Sequence, residues 1–494
     1  MKRRDFCAGT LGALASASFA RRARAAIPDE LPVLSRTGQS LLLKRAEVSE
    51  LASSLKGTLL LAGDTGYEQA RRIWNGAFDR RPAAIARCAG AADVVQAVQF
   101  AATHDLLVAV RGGGHSLPGH SVCEGGFMID LAPMQDVRVD PRARSVRLDP
   151  GVLLGSMDRA AQASGLAVPA GTVSHTGVAG LTLGGGFGRL SRKLGLTVDS
   201  LLSVDIVTAD GRLQRASALE NSDLFWAVRG GGGNFGVVTS FEFRGHEIPS
   251  RLVGGSLYFP FSEARQVLRA LAEISARAPD ELWIDPVLER DDDGERHLLV
   301  NLCHCGEQRA AERDVAAVRA LGTVLRDDIG ARPYVQLQSG HDNDSPHGRS
   351  YYMSGGLVQK VEPALLDHLV ESMNQPGANM AKISITQHGG AIARIPVDAT
   401  AFANRSASHN VVLRASWNDR ADAAIRTGWQ KETWKGIAPF TSGTYANLNL
   451  KDADPRVVSA YGPNLPRLVD LKSRVDPRNL FQLNPNIKPR SAHS

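Results

Sequence analysis

The amino-acid chain lacks the features that would place it in several large classes of protein. Its 494 residues contain five cysteines, too few for a scaffold held together by disulfides. Beyond residue 25 no apolar run approaches the roughly 18 residues that a membrane-spanning helix needs, and no internal repeat or low-complexity linker is present. A chain of this length exceeds one compact core, so we expect two domains.

A surplus of positive charge is absent from most of the chain, although the formal net charge is +6. Residues 1–25 hold six Lys/Arg and one Asp, and without them the net charge falls to +1. Because nucleic-acid binding needs a basic surface, the rest of the chain gives no electrostatic reason to expect a nucleic-acid partner.

Residues 1–25 have the pattern of an export signal. A basic start is followed by an apolar run of small residues over 7–20 and by an A-x-A cleavage pattern at 23–25. The Arg3–Arg4 pair resembles a twin-arginine signal, and an ordinary secretory signal is the alternative. We therefore expect a periplasmic or secreted protein that the export machinery for folded proteins carries, often with a cofactor already installed.

Four cysteines remain after this segment. Cys88 and Cys123 are candidates for a disulfide in an oxidising compartment, which the sequence alone does not establish. The C-H-C run has the spacing of a metal clip. On a strand, however, Cys303 and Cys305 would share one face and His304 the other. This favours a structural role, and we expect no metal site.

The N-terminal half predicts strands and helices that meet at glycine loops. Residues 84–110 predict a strand, a helix and a strand that lead directly into VRGGGHS. The glycines over 170–213 are too dense for a helix and predict loops until a strand begins at Val204. Residues 223–243 predict a short helix, a glycine loop and a strand.

The pattern changes near residue 248, where the glycine-rich loops stop. Residues 249–450 alternate strand-like and helix-like segments. Such alternation predicts a sheet with helices on one face, an α+β domain.

Three glycine-rich loops, 112–114, 184–188 and 230–236, are the strongest chemical signal in the chain. The GGGNFG run at 231–236 matches G-x-G-x-x-G, but it follows a helix and enters a strand, which excludes a Rossmann site. The G-H-S run is likewise no nucleophile elbow. Several separate loops around one elongated ligand suit a dinucleotide outside the Rossmann fold. We therefore expect a redox cofactor.

Five segments carry a family resemblance: VRGGGHS, GGFMIDL, PAGTVSHTGVAGLTLGGGFGRLSRKLGLTVDSLLSVDIVTADG, DLFWAVRGGGGNFGVVTSFEF and RVDPRNLFQLNPNI. Together they resemble the berberine-bridge-enzyme-like FAD-linked oxidases of the vanillyl-alcohol-oxidase and p-cresol-methylhydroxylase (PCMH) superfamily, in its bacterial 6-hydroxy-D-nicotine-oxidase branch. After the signal peptide, the resemblance implies a two-domain α+β fold. A PCMH-type FAD-binding domain spans 40–247. A substrate-binding domain at 248–450 has an antiparallel sheet with helices on one face. The segment 451–494 returns to the FAD domain.

The resemblance also implies how FAD is held. His115 matches the histidine that bonds covalently to the flavin 8α-methyl group in the family, and a histidine that merely caps the loop is the alternative. Relatives with a second link have a cysteine where this chain has Val173, so we expect attachment through His115 only. The positions that match the family's FAD contacts are Arg111, Gly112, Gly113, Gly114, His115, Ser116, Gly171, Thr172, Thr176, Gly177, Gly180, Gly184, Gly185, Gly186, Gly188, Gly236, Val237, Val238 and Asn447.

The catalytic side departs further from the family pattern. Leu117, Phe187 and Val412 stand where plant relatives that oxidise alcohols have tyrosines and a carboxylate or glutamine. An alcohol needs a base as its hydride leaves, whereas a neutral amine needs less help, so this departure favours an amine. The catalytic candidates are Tyr445, His175 and Asn447. His388, Tyr352 and Arg414 are further polar candidates, and each of these side chains has a domain-interface role as the alternative.

The expected activity is that of an FAD oxidase, which removes hydride from a small amine, alcohol or sugar and reduces O2 to H2O2. Thr176, at the position that gates oxygen in relatives, is close in size to the valine of oxygen-reactive members and favours this activity. The alternatives are a dehydrogenase of the same fold that uses a quinone or cytochrome, a carbohydrate oxidase, and a non-catalytic flavin-binding protein.

Overall fold

A computed structural model describes residues 26–448 and 456–490 of the chain. The predicted signal peptide lies outside these residues, as do 451–455 and 491–494 of the predicted C-terminal segment. Among the described residues, no helix combines the length and the apolar character needed to cross a membrane.

The chain begins with a hairpin and a four-stranded sheet whose strand order is β3-β4-β6-β5. The predicted strand–helix–strand unit is confirmed: β4 and β5 both pair in parallel with β6, and α3 lies between them in sequence. The helix forms because Val94, Val98 and Ala101 recur at helical spacing and are fully buried. The elements are β1 (Glu30–Leu34), β2 (Ser40–Lys44), α1 (Arg45–Ser54), β3 (Thr58–Leu61), α2 (Tyr67–Arg71), β4 (Ala84–Arg87), α3 (Ala91–Thr103), β5 (Val108–Arg111) and β6 (Phe127–Asp130).

A second, antiparallel sheet follows, with strand order β11-β10-β12-β8-β7. The short helix and the strand predicted on either side of the third glycine loop are present as α7 and β12. The elements are β7 (Val137–Asp140), β8 (Ser145–Leu148), α4 (Leu154–Gln162), β9 (Leu166–Ala167), α5 (Val178–Leu183), α6 (Ser191–Leu194), β10 (Leu201–Val207), β11 (Leu213–Ser217), α7 (Ser222–Val228), β12 (Val237–Arg244) and β13 (His246–Glu247).

The prediction that 170–213 holds no helix before its strand is wrong. The short helices α5 and α6 lie within it. Val178 and Thr182 of α5 are fully buried, so tertiary packing stabilises a helix of one and a half turns that isolated propensity would not.

The third sheet is antiparallel, with nine described strands in the order β17-β14-β16-β15-β20-β21-β19-β22 and β18 paired to β14. Helices α8, α9, α11 and α13 share one apolar core with one face of this sheet, as the predicted α+β arrangement requires. The elements are β14 (Leu252–Pro260), α8 (Ala264–Arg277), β15 (Leu282–Arg290), β16 (Arg296–His304), α9 (Gln308–Arg319), β17 (Arg326–Asp327), β18 (Gly330–Arg332), α10 (Tyr334–Ser339), β19 (Ser350–Val358), α11 (Pro363–Ser372), β20 (Ala381–Gln387), α12 (Ala391–Arg394), β21 (His409–Trp417), α13 (Ala423–Ile437) and β22 (Thr441–Gly443).

The tail, with α14 (Arg456–Tyr461) and α15 (Leu465–Val475), packs back on the N-terminal half. The Asn234 side chain in the third glycine loop donates to Pro485 O at 3.2 Å and accepts from Ile487 N at 2.9 Å. Phe481 joins the core of the first sheet. The last turns of the described chain therefore complete the wall beside the glycine loops.

Cys88 and Cys123 do not form the disulfide that the sequence left open. Both are buried free thiols, with Cys88 Sγ directed at Ala86 O and Cys123 Sγ at Leu107 O. The predicted alternation at 303–305 is confirmed. Cys303 and Cys305 pack in one apolar cluster, whereas His304 contacts Asp314 of α9.

Candidate cofactor site

A cavity of about 300 Å³ lies beside the two N-terminal sheets. The segment that follows β22 and the C-terminal tail complete its wall. Its wall comes from the loop after β5, from 176–183 around α5, from 232–238 before β12, from 445–447 and from 481–485. Two of these five segments contain glycines of the three glycine-rich loops, and the segment 176–183 adds Gly177 and Gly180. The volume falls at the lower end of the roughly 300–1,000 Å³ range of small-molecule sites.

Glycines bring two of the loops into direct contact. A Cβ on Gly113 would lie 2.4 Å from Gly177 Cα, and one on Gly177 would lie 2.5 Å from Gly113 N. No side chain fits at either position. Gly114 has φ +70°, a left-handed conformation that favours glycine. These positions explain why the sequence needs glycine where the chain turns under the cavity.

Other glycines leave room inside the cavity. An added Cβ on Gly180 or Gly233 would meet no protein atom within 4 Å, although both residues line the cavity. A side chain at either position would therefore project into open space at the cavity wall. Backbone from several loops around such a space suits the pyrophosphate and ring system of a dinucleotide, so the residues fit FAD.

The structure brings most of the predicted FAD contacts together. His115 and Asn447 both line the cavity, as does the catalytic candidate Tyr445. The other predicted cofactor residues on its wall are Gly112, Gly113, Gly114, Ser116, Thr176, Gly177, Gly180, Gly236, Val237 and Val238.

A second set of predicted contacts does not reach the cavity wall. A Cβ on Gly184 would collide with Asn447, on Gly185 with Phe402 and on Gly188 with Ala170 O, all within 2.7 Å. These glycines allow close packing behind the wall. The predicted cofactor residues away from the wall are Arg111, Gly171, Thr172, Gly184, Gly185, Gly186 and Gly188.

Sequence reasoning missed the apolar end of the cavity. Leu131, Phe481 and Leu483 line it together with Asn484 and Pro485. Phe481, Leu483, Asn484 and Pro485 belong to the RVDPRNLFQLNPNI run, whose resemblance to the family implies that the tail returns to the cofactor.

His115 belongs to a cluster of three imidazoles at the edge of the cavity. Its ring stacks on Trp74 with centroids 4.8 Å apart, and its Nε2 lies 2.7 Å from Nδ1 of His175. His347 completes the cluster, in which one ring nitrogen from each of the three histidines lies within 4.8 Å of the other two. Burial, followed by the neighbouring His175 and His347, holds the pKa of His115 well below its usual value. His115 is therefore neutral at neutral pH.

His115 and His175 are in direct contact. The separation of 2.7 Å between His115 Nε2 and His175 Nδ1 is a hydrogen bond in which either ring can be the donor. His175, predicted as a substrate base, therefore contacts the expected attachment residue, and it is absent from the wall around Tyr445.

Tyr445 is held by two donors on the opposite side of the cavity. Its hydroxyl oxygen accepts from Gly186 N at 3.1 Å and from Asn447 Nδ2 at 2.8 Å. Burial nevertheless raises the pKa of Tyr445 to about 12. The hydroxyl stays protonated at neutral pH, and its hydrogen is available to a molecule in the cavity.

His388 and Tyr445 both contact the ring of Phe187. Phe187 is 4.5 Å from the His388 ring and 4.9 Å from the Tyr445 ring, measured between centroids. His388 is 1% exposed, and neither ring nitrogen has a hydrogen-bond partner among the described residues. Burial lowers the pKa of His388 to about 3. A buried polar ring without partners suits contact with a bound molecule.

The sheet face away from the helices is polar. Asp285 Oδ1 accepts from the hydroxyls of Ser384 at 2.5 Å and Thr386 at 2.8 Å. Arg414 on β21 donates to Ser345 Oγ at 2.9 Å and lies over the Tyr351 ring, which stacks on Trp74. This face therefore reaches the edge of the cofactor site.

Tyr352, predicted to face the cofactor, faces the other way. Lys431 of α13 lies over its ring at 5.9 Å, which places it on the helix side of β19. Since side chains alternate along a strand, its neighbour Tyr351 takes the position beside Trp74.

An α+β chain with a glycine-lined cavity and a histidine on its wall fits the class of redox proteins that bind a dinucleotide cofactor. Residues 82–217 match the family of FAD binding domains, and residues 444–488 match the berberine and berberine-like family. An FAD-linked oxidoreductase of Dictyostelium discoideum is 31% identical over 448 residues, which cover 90% of this chain and 97% of the relative. The chain belongs to the berberine-bridge-enzyme-like FAD-linked oxidoreductases.

Two further comparisons are similar in extent. The (R)-6-hydroxynicotine oxidase of Paenarthrobacter nicotinovorans is 29% identical over 473 residues, or 90% of this chain and all of that protein. The crystal structure of 6-hydroxy-D-nicotine oxidase from Arthrobacter nicotinovorans superposes with a TM-score of 0.82 at 28% identity, covering 88% of this chain and 99% of that one. The protein is thus an FAD-linked oxidoreductase with the predicted fold.

Proposed function

We propose that this oxidoreductase is an oxidase, which takes hydride from a C–H bond of a small organic substrate and uses O2 as the electron acceptor. The carrying observation is the glycine-lined cavity with His115 on one part of its wall and Tyr445 on another. FAD, when bound, supplies the hydride acceptor and returns two electrons to O2 as H2O2. The protein binds the cofactor, orients the substrate against it and supplies hydrogen bonds to both.

His115 is the proposed single covalent anchor. It lines the cavity, its ring is held by Trp74, and Val173 occupies the position of the second link in relatives. Thr176, the expected oxygen-gating position, also lines the cavity. Its size supports access of O2 from that side.

An amine is the proposed substrate class. Tyr445 and His388, with pKa values of about 12 and about 3, are both neutral at neutral pH. Neither is tuned to remove a proton from an alcohol at neutral pH. Leu117 and Phe187 keep this part of the site apolar. The similarity to a 6-hydroxynicotine oxidase supports the same class.

The substrate is proposed to bind between the cavity and the polar face of the third sheet, in the domain 248–450. Asp285 offers a carboxyl group there that an ammonium or hydroxyl group would contact, and Arg414 offers a cation. The proposed catalytic contacts are the Tyr445 hydroxyl, oriented by Asn447, and the unpartnered ring of His388.

Anaerobic flavin bleaching tests the proposal. Purified enzyme is mixed with cyclic or secondary amines and, separately, with mono- and oligosaccharides, and the oxidised flavin absorbance is followed before air is admitted. Bleaching by an amine and rapid recovery in air are expected. Bleaching by sugars alone would make the protein a carbohydrate oxidase and contradict the substrate class.

The recovery phase separates the remaining alternatives. Slow recovery in air, accelerated by a quinone, would assign a dehydrogenase. A flavin that neither panel bleaches, although dithionite reduces it, would support a flavin-binding protein without catalysis.

Export by the twin-arginine route is a separate proposal for residues 1–25. It is supported by the Arg3–Arg4 pair and by a cofactor that binds folded protein. A variant with both arginines replaced by lysine is expected to stay in the cytoplasm of a bacterial host. Unchanged export of that variant would point to the general secretory route.

A further inference from the structure

The imidazole pair His115–His175 sits at the expected point of cofactor attachment, away from Tyr445. His115 Nε2 is 2.7 Å from His175 Nδ1, and the hydrogen bond joins two loops that are 60 residues apart in sequence. Among the contacts of the described residues, this is the polar contact of His115. Its Nδ1 has no hydrogen-bond partner among the described residues, and His115 lines the cavity.

The surroundings keep His115 neutral and fixed in orientation. Trp74 stacks on the His115 ring with an interplanar angle of 15°. Tyr351 also stacks on Trp74, with ring centroids 4.1 Å apart. A neutral imidazole is a nucleophile at its unprotonated nitrogen, and the proton on its other nitrogen must leave when a new bond forms. When His115 Nε2 carries that proton, the 2.7 Å contact directs it at His175 Nδ1.

His175 is held in place from its own side. The backbone N–H of Ser174 donates to Asp342 at 2.8 Å, and the Ser174 hydroxyl donates to the same carboxylate. His347 lies just before β19. Its ring centroid is 4.8 Å from that of His175, and the residue is exposed to solvent. A proton received by His175 therefore has a solvent-facing neighbour.

We propose that His175 is the general base for the covalent attachment of FAD to His115. This inference rests on the proposed single link at His115. In the step, a bond forms between His115 Nδ1 and the flavin 8α carbon, one C–H bond of the 8α-methyl group breaks, and His175 Nδ1 takes the proton from His115 Nε2. The methyl proton passes to solvent, and the two electrons of the broken C–H bond stay on the flavin until O2 takes them with two protons as H2O2, so the flavin ends oxidised.

The ionisable groups next to His175 are the imidazoles of His115 and His347, and Asp342 binds the adjacent Ser174. A general base is effective only when unprotonated, so attachment should slow as the pH falls. This behaviour distinguishes a base from a residue that only orients His115.

The test measures covalent flavin directly, independent of turnover. Full-length protein and variants are purified, incubated with FAD in air at pH 6 to 9, precipitated with acid, and the flavin in pellet and supernatant is quantified over time. His175→Ala is expected to bind FAD but attach it about 100-fold more slowly at pH 7, the lower end of general-base effects. Added imidazole, or a rise to pH 9, should restore part of the rate.

Two variants separate the base from a structural role. His175→Asn retains a hydrogen-bond acceptor but not a base, so it should attach as slowly as His175→Ala. His347→Ala removes the solvent-facing neighbour of His175 and should slow attachment less than His175→Asn does, since His115 Nε2 bonds to His175. Wild-type attachment in His175→Asn, or in His175→Ala without imidazole, would overturn the proposal.

The failure of the proposed function would look different. Wild-type protein that binds no flavin would contradict the FAD site itself. Covalent flavin in His115→Ala would contradict the anchor. When the proposed function holds, the wild type forms acid-stable flavin, and the His175 variants are compared with it only in the rate at which that flavin forms.

Discussion

The buried ion pair Lys472–Asp476 offers a quantitative test of how the tail completes the cofactor cavity. Lys472 Nζ lies 2.7 Å from Asp476 Oδ2, and both side chains are 0% exposed. The ammonium also donates to Asn234 O at 2.8 Å and to Phe481 O at 3.0 Å. One side chain therefore joins α15, the third glycine loop and the tail that lines the cavity.

Replacing Lys472 by Met removes the cation and keeps the apolar volume of the side chain. Asp476 then stays buried with its two backbone donors, Leu480 N at 2.7 Å and Phe481 N at 3.0 Å, but without its counter-charge. Removing one partner of a buried pair costs about 3–5 kcal/mol. At about 2 °C per kcal/mol for a large domain, the thermal midpoint should fall by about 6–10 °C.

The assay is thermal unfolding followed by flavin fluorescence, which reports the cavity wall, together with circular dichroism. Lys435→Met is the matched control. Lys435 also forms an ion pair within an α-helix, with Glu432 of α13, but these two side chains are 73% and 66% exposed. An exposed pair contributes about 0–1 kcal/mol, so this control should shift the midpoint by at most about 2 °C.

A second variant tests the electrostatic origin of the loss. In Lys472→Met/Asp476→Asn both charges are absent and the amide oxygen still accepts a backbone N–H, so part of the lost stability should return. Equal midpoints for Lys472→Met and Lys435→Met would refute the reasoning. A double variant less stable than the single would refute the assignment to an unpaired buried charge.

Three further predictions concern the cavity and its neighbours. Gly180→Ala should stabilise α5 by about 0.5–1 kcal/mol yet lower the flavin content, because its methyl group enters the cavity. The control Gly428→Ala, on the exposed face of α13, should leave the flavin content unchanged. Equal flavin contents in the two variants would contradict the cavity assignment. Tyr445→Phe should lower kcat about 10-fold, the equivalent of one hydrogen bond of about 1.4 kcal/mol. Its pH profile between 7 and 10 should match that of the wild type, since the pKa of Tyr445 is about 12, and a wild-type ionisation in that range that the variant lacks would be contrary evidence. Burial lowers the pKa of His409 to about 4. The unfolded chain therefore binds more protons below pH 6.5, and about 2 kcal/mol of stability is lost by pH 5. His409→Gln should show a smaller fall in thermal midpoint between pH 7 and pH 5, and an unchanged fall would contradict this origin.

Local patterns in the sequence were sufficient for the elements that depend on neighbouring residues. The helical spacing of Val94, Val98 and Ala101 predicted α3, and the run before Gly112 predicted β5. Helix α5 escaped prediction because contacts with distant residues stabilise it. Tyr352 was assigned to the wrong side of its strand, since in a strand a shift of one residue reverses the face, and only the pairing of β19 with its neighbours sets the side.

The glycine motifs by themselves determined that the chain has a dinucleotide cavity, because a missing Cβ is a property of the residue and its effect on backbone approach is local. They did not separate Gly180, which opens into the cavity, from Gly184, which packs behind it. That distinction needed Asn447, which lies far away in sequence.

The sequence by itself determined the family, the class of cofactor and the identity of His115 as its expected anchor, since each depends on contiguous motifs. The tertiary structure alone decided what surrounds that anchor. Trp74, His175 and His347 meet it from three separate segments, and the Lys472–Asp476 pair closes the wall from the end of the chain. The physical reason is that hydrogen bonds, ring stacking and burial act over a few ångströms in space, whatever the separation along the chain.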